Sequence, residues 1–286
     1  MPEINLAVEE WLADHASRGC NPRSVADAMI NAGFDPGVAH EAVHATYTGI
    51  QSLHPDVLGV EAGPGKYRYD KCPVASGNLV RALDRDVKVL MRCERPQIIS
   101  FDGVFSPEEC NAVIERSRPR LKPSTVYLNS RDRNRTSETA SFWRGEDAFI
   151  DRLDQRIASL MNWPVANGEA LQVQHYRLAG EYRSHYDYYP PRRSGVIARG
   201  RKGGQRGATL IVYLNDPFEG GATHFPNIGL SVAARQGGGL YFRYMNARRQ
   251  LDPLTEHAGM PVLAGEKWII TKWMTEHPQE ARIEAE

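Results

Sequence analysis

Apolar positions in the first fifty residues recur at helical spacing. Leu6, Val8, Trp11 and Leu12 form one stripe, which Gly19 stops. Asn21 and Pro22 open a second short helix with Val25, Met29 and Ile30 on its apolar face. Ala32, Gly33, Phe34, Asp35 and Pro36 break the chain before a third helix carrying Val38, Ala42 and Val43. Residues 55–78 hold Pro55, Gly59, Gly63, Pro64, Gly65, Pro73 and Gly77, which is linker composition. From Val87 the period shortens to that of strands, at 87–91 and 98–101. Ser106, Pro107 and the acids after them start a helix, and a second helix is predicted over 146–160. Strand candidates follow at 171–176, 208–214, 230–233, 239–244, 261–263 and 268–273, punctuated by Gly and Pro. Helices first and short strands afterwards predict a mainly β fold, a barrel or sandwich with flanking helices. The expected organisation is a small α-helical domain over 1–54, a linker and lead-in strand over 55–95, a principal domain over 96–277 and an acidic tail over 278–286.

Composition narrows the class. The chain has 286 residues, 41% of them hydrophobic, which supports one large domain or a medium one with a small partner. Lys and Arg number 35 and so do Asp and Glu, which removes the global electrostatic case for binding nucleic acid or a membrane surface. The longest apolar runs, such as 208–214, fall far short of the roughly 18 residues of a membrane span. The opening Met-Pro-Glu-Ile-Asn lacks the basic and apolar regions of a secretory signal. Cys20, Cys72, Cys93 and Cys110 show no CxxC spacing, so free thiols and a cytoplasmic location are expected.

Nine histidines allow a metal site, and two of them stand in His-x-Asp triplets, at 54–56 and 185–187. Residues i and i+2 of a strand share a face, so such a triplet can present an imidazole and a carboxylate to one ion. His54 lies in the Pro/Gly segment with a proline between the two members, and reads as a turn. His185 and Asp187 follow a strand-like run, and His257 lies downstream with Lys267 ten residues beyond it. Two histidines and one carboxylate are the ligand set of the non-haem iron(II) facial triad, which leaves positions open for a co-substrate and oxygen. An inward lysine beside such an ion would imply an anionic ligand, because a buried unpaired charge is costly. His175 and His224 read as satisfied strand histidines rather than ligands.

From about Phe101 to Met274 the chain resembles the prolyl 4-hydroxylase family of iron(II)- and 2-oxoglutarate-dependent dioxygenases. The matching pieces come in the family's order: 101–110, Ser124 to Val126 with Arg135 to Ser137, Tyr176 followed by His185 and Asp187, 208–214, Gly220 to Thr223 with Phe225 and Pro226, His257, and Glu266 to Trp273. The resemblance implies a double-stranded β-helix, a jelly roll of cupin type, for the dioxygenase domain of 96–277. It implies that His185, Asp187 and His257 ligate Fe(II), and that Lys267, Tyr176 and Thr223 hold 2-oxoglutarate. Arg206 and Trp273 would contact the substrate. O2 is the second co-substrate, and ascorbate is an admissible reductant. The implied reaction is hydroxylation of an aliphatic C–H, foremost of a prolyl residue in a peptide or protein. A free amino acid or small metabolite is the alternative substrate, and a non-catalytic binding module with a vestigial iron site the remote one. Ala222 stands where the family often has an acid, and Arg248 and Arg249 replace a histidine–glycine pattern before the distal ligand.

Two segments remain. The first three helices resemble a ubiquitin-associated-type bundle, though a packing or dimerisation appendage is the reading preferred, with a protein partner or dimer contact through those helices. Between Arg183 and Arg206, Asp187 is the only acid among Arg192, Arg193, Arg199, Arg201 and Lys202. This stretch is expected to be a loop, and in the functional reading a lid that brings Arg206 to an anionic group.

Overall fold

The computed structural model describes residues 4, 6–17, 21–53, 67–124, 135–189, 203–216 and 219–279. His54, most of the basic stretch (190–202) and the end of the acidic tail (280–286) lie outside the described residues, as do Thr125 and Val126.

Helices α1 (Leu6–Ser17), α2 (Pro22–Asn31) and α3 (Pro36–Leu53) come first. Leu12, Val25, Ala26, Met29, Ala39 and Val43 form their common core. Val38, predicted on the apolar face, is instead 42% exposed. The i, i+4 pair Ala39 and Val43 of α3 faces the other two helices, and Val38, one position off that stripe, turns out.

The strands β1 (Leu79–Ala82), β2 (Arg85–Glu94) and β3 (Gln97–Asp102) lead into helix α4 (Pro107–Ser117). Then follow β4 (Lys122–Pro123), β5 (Glu138–Phe142), helix α5 (Ala148–Met161), β6 (Leu171–Tyr176), β7 (Tyr182–His185) and β8 (Arg206–Tyr213). The remainder is β9 (Glu219–Gly220), β10 (Thr223–Phe225), β11 (Leu230–Val232), β12 (Gly239–Arg243), β13 (His257–Gly259), β14 (Val262–Ala264) and β15 (Lys267–Thr275). The major sheet runs β1-β2-β3-β12-β8-β15-β6-β5-β4 and the minor sheet β11-β10-β13-β7, with antiparallel pairing throughout. This is the jelly roll of the double-stranded β-helix, with α4 and α5 against the outer face of the major sheet.

Side-chain alternation builds two cores. On β15, Trp268, Ile270 and Met274 join Ile150, Leu153 and Ile157 of α5, while Ile269 faces Phe225, Phe242 and Tyr244 between the sheets. A strand buried on both faces reads as mostly apolar, and Trp268, Ile269 and Ile270, with Trp273 beyond Thr271 and Lys272, make 268–273 legible as one. Helix α4 starts as predicted after Ser106, and α5 starts at Ala148, two residues later than the predicted 146. Ser106 makes a capping box with Glu109, and the Asp147 carboxylate accepts from Phe149 N and Ile150 N. The Arg156 guanidinium donates to both Asp84 and Glu109 at 2.7–2.8 Å, fastening α5 to α4 and to the β1–β2 turn.

Residues 67–78 have linker composition but are docked on the barrel. Val74 is buried in the outer core, and Asp70 pairs with Arg243 at 2.6 Å. Here Pro73 and Gly77 belong to a packed lead-in rather than a free tether. Cys72, Cys93 and Cys110 are free thiols.

Candidate metal and co-substrate site

The antiparallel pairing of β7 with β13 sets His185 directly opposite His257. Their rings stand 4.3 Å apart between centroids. Asp187, two residues past His185, comes in beside both. One carboxylate oxygen lies 3.6 Å from His185 Nε2 and the other 3.7 Å from His257 Nε2. One ligand atom from each of the three falls within 4.8 Å of the others.

The outer ring nitrogens fix the imidazoles for this task. His185 Nδ1 donates to the Arg183 carbonyl at 2.8 Å, and His257 Nδ1 to the Thr255 carbonyl at 3.1 Å. Each Nε2 lone pair is then left facing the carboxylate, the usual outer-shell arrangement of a metal-binding histidine. Burial and the neighbouring His185 push the His257 imidazole down to about 4, so it is neutral and able to ligate at physiological pH. Burial pushes Asp187 up, but the His257 and His185 rings outweigh it and hold the carboxyl well below the usual range. Thr209 Oγ1 donates to Asp187 Oδ2 at 2.7 Å. Two imidazole nitrogens and one ionised oxygen on one side of a cavity suit a divalent iron with open positions.

The same cavity contains Lys267, Tyr176, Thr223 and Trp273. Lys267 and Tyr176 are register partners on β15 and β6, which puts them side by side on the inner face. Lys267 is 2% exposed, and among the described residues no carboxylate lies within ion-pair distance of it. The ring centroids of Tyr176 and Tyr213 stand 5.5 and 5.9 Å from its Nζ. Burial alone pushes this amine down to about 8. Tyr176 donates its hydroxyl to Gln174 at 2.9 Å, and Thr223 shares a hydrogen bond of 2.9 Å with Tyr213.

Arg206 is not among the residues that line the cavity but stands behind Trp273. Its guanidinium pairs with both carboxylate oxygens of Glu169, donates to the Asp187 carbonyl at 3.1 Å, and lies over the Trp273 ring. Trp273 itself lines the cavity, and its Nε1 is buried without a hydrogen-bond partner among the described residues.

His175 and His224 are partnered, as expected. His175 has a carboxylate at each ring nitrogen, and His224 contacts Ser231 Oγ at 2.8 Å. Sequence reasoning missed Thr209, Glu169 and Tyr182. Tyr182 stacks on His185 at 3.6 Å, with the Arg135 guanidinium over the Tyr182 ring at 5.1 Å. Tyr182 could have been found, since it falls three residues before a candidate ligand on one short strand. Thr209 and Glu169 carried no local signal, because their partners are distant in sequence.

Comparison with known proteins agrees with this geometry. Residues 171–275 match the 2OG-Fe(II) oxygenase superfamily. Probable prolyl 4-hydroxylase 3 of Arabidopsis thaliana is 36% identical over 203 residues, covering 63% of this chain and 69% of that protein. Prolyl 4-hydroxylase 5 of the same plant is 35% identical over 206 residues, covering 64% and 69%. Among solved structures, the viral collagen prolyl hydroxylase of Paramecium Bursaria Chlorella virus-1, in its 2OG complex, superposes with a TM-score of 0.50. It is 30% identical and covers 62% of this chain and 94% of its own. With its jelly roll, its His/Asp/His cluster and these relatives, the chain belongs to the prolyl 4-hydroxylase family of 2-oxoglutarate- and iron(II)-dependent oxygenases.

Proposed function

We propose that the protein hydroxylates a prolyl residue within a peptide or protein. In this reading His185, Asp187 and His257 hold the iron, and Lys267, with the Tyr176 and Thr223 hydroxyls, holds the distal carboxylate of 2-oxoglutarate. Iron(II) with 2-oxoglutarate supplies the oxidative decarboxylation that activates O2 for insertion into an aliphatic C–H bond. The chain's own part is to bind, orient and exclude water. The observation that carries the reading is the buried Lys267, which lacks a carboxylate partner among the described residues and shares a cavity with the triad. Such an amine is tolerated where an anion completes the site.

The cavity lining also favours a residue in a chain over a free amino acid. Among the described residues that line it, Lys267 is the only lysine or arginine and Asp187 the only carboxylate. Both are taken, by co-substrate and by metal, so the ammonium and carboxylate of a free amino acid would lack counter-charges. A peptidyl residue carries neutral amides instead, and the partnerless Trp273 Nε1 offers a donor for one carbonyl.

The test is aerobic succinate release over proline-containing peptides and free amino acids, with the product identified by the mass gain of one oxygen atom. Asp187→Ala should abolish turnover. Lys267→Ala should raise the apparent KM for 2-oxoglutarate by about tenfold to a hundredfold, the worth of a charge-assisted hydrogen bond. Full turnover in Asp187→Ala, or unchanged co-substrate KM in Lys267→Ala, would sink the assignment of that residue. Hydroxylation of free proline in preference to every peptide would reverse the substrate reading.

A further inference from the structure

His175 lies one position before Tyr176 on β6, and its register partner is Trp268, one position after Lys267. Its ring stacks on the Trp268 ring at 4.0 Å and 17°. Nδ1 stands 3.1 Å from a Glu138 carboxylate oxygen, and Nε2 stands 2.8 Å from one of Glu266. An ionised carboxylate only accepts, so satisfying both contacts requires an N–H on each nitrogen, and only the imidazolium has two. Burial pushes Glu138 and Glu266 up, but their donors outweigh it and hold both below the usual range, His175 being among those donors in each case.

The place of this clamp gives it a consequence. Glu138 opens β5, directly after the Arg135 to Ser137 segment, and Glu266 directly precedes Lys267 on β15. β6 lies between those two strands in the sheet. One charged ring therefore ties together the strands on either side of β6, at the level of the co-substrate residues. The other charges facing the cluster are Arg177, 3.1 Å from Glu138, and Arg118, 5.2 Å above the Trp268 ring.

We propose that His175 is a positioning residue for co-substrate binding, an imidazolium that clamps Glu138 and Glu266 and so sets the strand positions from which Tyr176 and Lys267 reach the cavity. The proposal rests on the reading of Tyr176 and Lys267 given above. Loss of one ring proton leaves a lone pair facing a carboxylate, which releases one side of the clamp as pH rises. Neither Tyr176 nor Lys267 needs to titrate for this to happen.

The experiment is calorimetric titration of 2-oxoglutarate into the Mn(II)-loaded protein, from about pH 5.5 to about pH 8.5, the span in which imidazoles change charge. At low pH His175→Gln should bind roughly fivefold more weakly than wild type, and the gap should close as pH rises, a loss on the scale of one partly screened charge-assisted hydrogen bond. The ratio of variant to wild type at each pH cancels the metal ligands, whose titration both proteins share. Glu138→Gln combined with Glu266→Gln removes the demand for a charged ring while keeping its shape. It should show the same flattened response with His175 intact, and it carries the test if His175→Gln fails to fold. A ratio that stays constant across pH overturns the proposal. Lys267→Ala, titrated alongside, separates the two readings. If it binds co-substrate like wild type, the reading of the lysine fails. If it binds weakly while the His175 ratio stays constant, only the positioning role fails.

Discussion

The guanidinium carbon of Arg206 sits 3.8 Å from the centroid of the Trp273 indole, while Glu169 takes two of its N–H groups at 2.6 and 2.7 Å. An arginine that sequence position marks as a substrate contact is thus already neutralised, and what it presents to the cavity is the aromatic face it backs. Burial pushes Glu169 up, but Arg206 and the Tyr189 hydroxyl pull it below the usual carboxylate range. The same guanidinium donates to the carbonyl of Asp187, so the pair links the cavity wall to the strand end that carries a metal ligand.

Glu169→Ala leaves that guanidinium largely buried without its partner. Stability should fall by about 2 kcal/mol, less than for a fully dry pair because both side chains retain some exposure. Glu169→Gln should lose less. Urea unfolding of the two variants checks the order.

Thr209→Val removes the hydroxyl that donates to Asp187 and leaves shape and burial nearly unchanged. Metal affinity should drop by about tenfold to a hundredfold, as for other outer-shell partners, with Thr209→Ser near wild type. Mn(II) binding followed by EPR is the measurement, and equal affinities would show that the hydrogen bond does not tune the ligand.

Lys267→Met should stabilise the protein free of co-substrate. The folded lysine titrates near 8, while an unfolded one titrates near about 10.4. Between those values the unfolded chain binds more protons, so wild-type stability rises with pH through this window and is lowest below it. At neutral pH the penalty amounts to at most ~3 kcal/mol, and its removal should raise Tm by several degrees. Thermal melts with and without 2-oxoglutarate check this. The ligand should lift wild type and leave the methionine variant almost unmoved.

Lys272 and Asp154 form an ion pair at 2.6 Å with neither side chain exposed. Burial pushes Asp154 up and Lys272 down, each toward its neutral form. Lys272→Met alone should cost about 3–5 kcal/mol by leaving a carboxylate buried and unpaired, and Asp154→Leu added to it should recover most of that loss. A double-mutant cycle in denaturant measures both effects.

The metal ligands were legible in the sequence because strand alternation carries His185 to Asp187, and one histidine stands at family spacing beyond them. The co-substrate lysine was legible because it follows His257 by ten residues and directly precedes the apolar Trp268, Ile269 and Ile270, where the family motif has its lysine. The strands that aim these residues were not. β7, β10 and β13 are three or four residues long and polar, and they exist only because their neighbours supply the hydrogen bonds. The pairing of Arg206 with Glu169 was hidden for a similar reason, since the two are 37 residues apart. Val38 shows the limit of periodicity, since it shares a stripe with Ala42, whereas the bundle core takes the neighbouring stripe of Ala39 and Val43.

β15 carries two buried lysines five positions apart, an odd separation, so they emerge on opposite faces of the sheet. One faces the cavity and the other the helix layer, where Asp154 awaits it. A slip of one residue would drive each ammonium group into the environment built for its neighbour's apolar face, and strand both at once. The pair therefore acts as a two-pronged key for the last strand of the barrel. Insertions or deletions inside 267–275 should be rejected at assembly, before catalysis is ever tested.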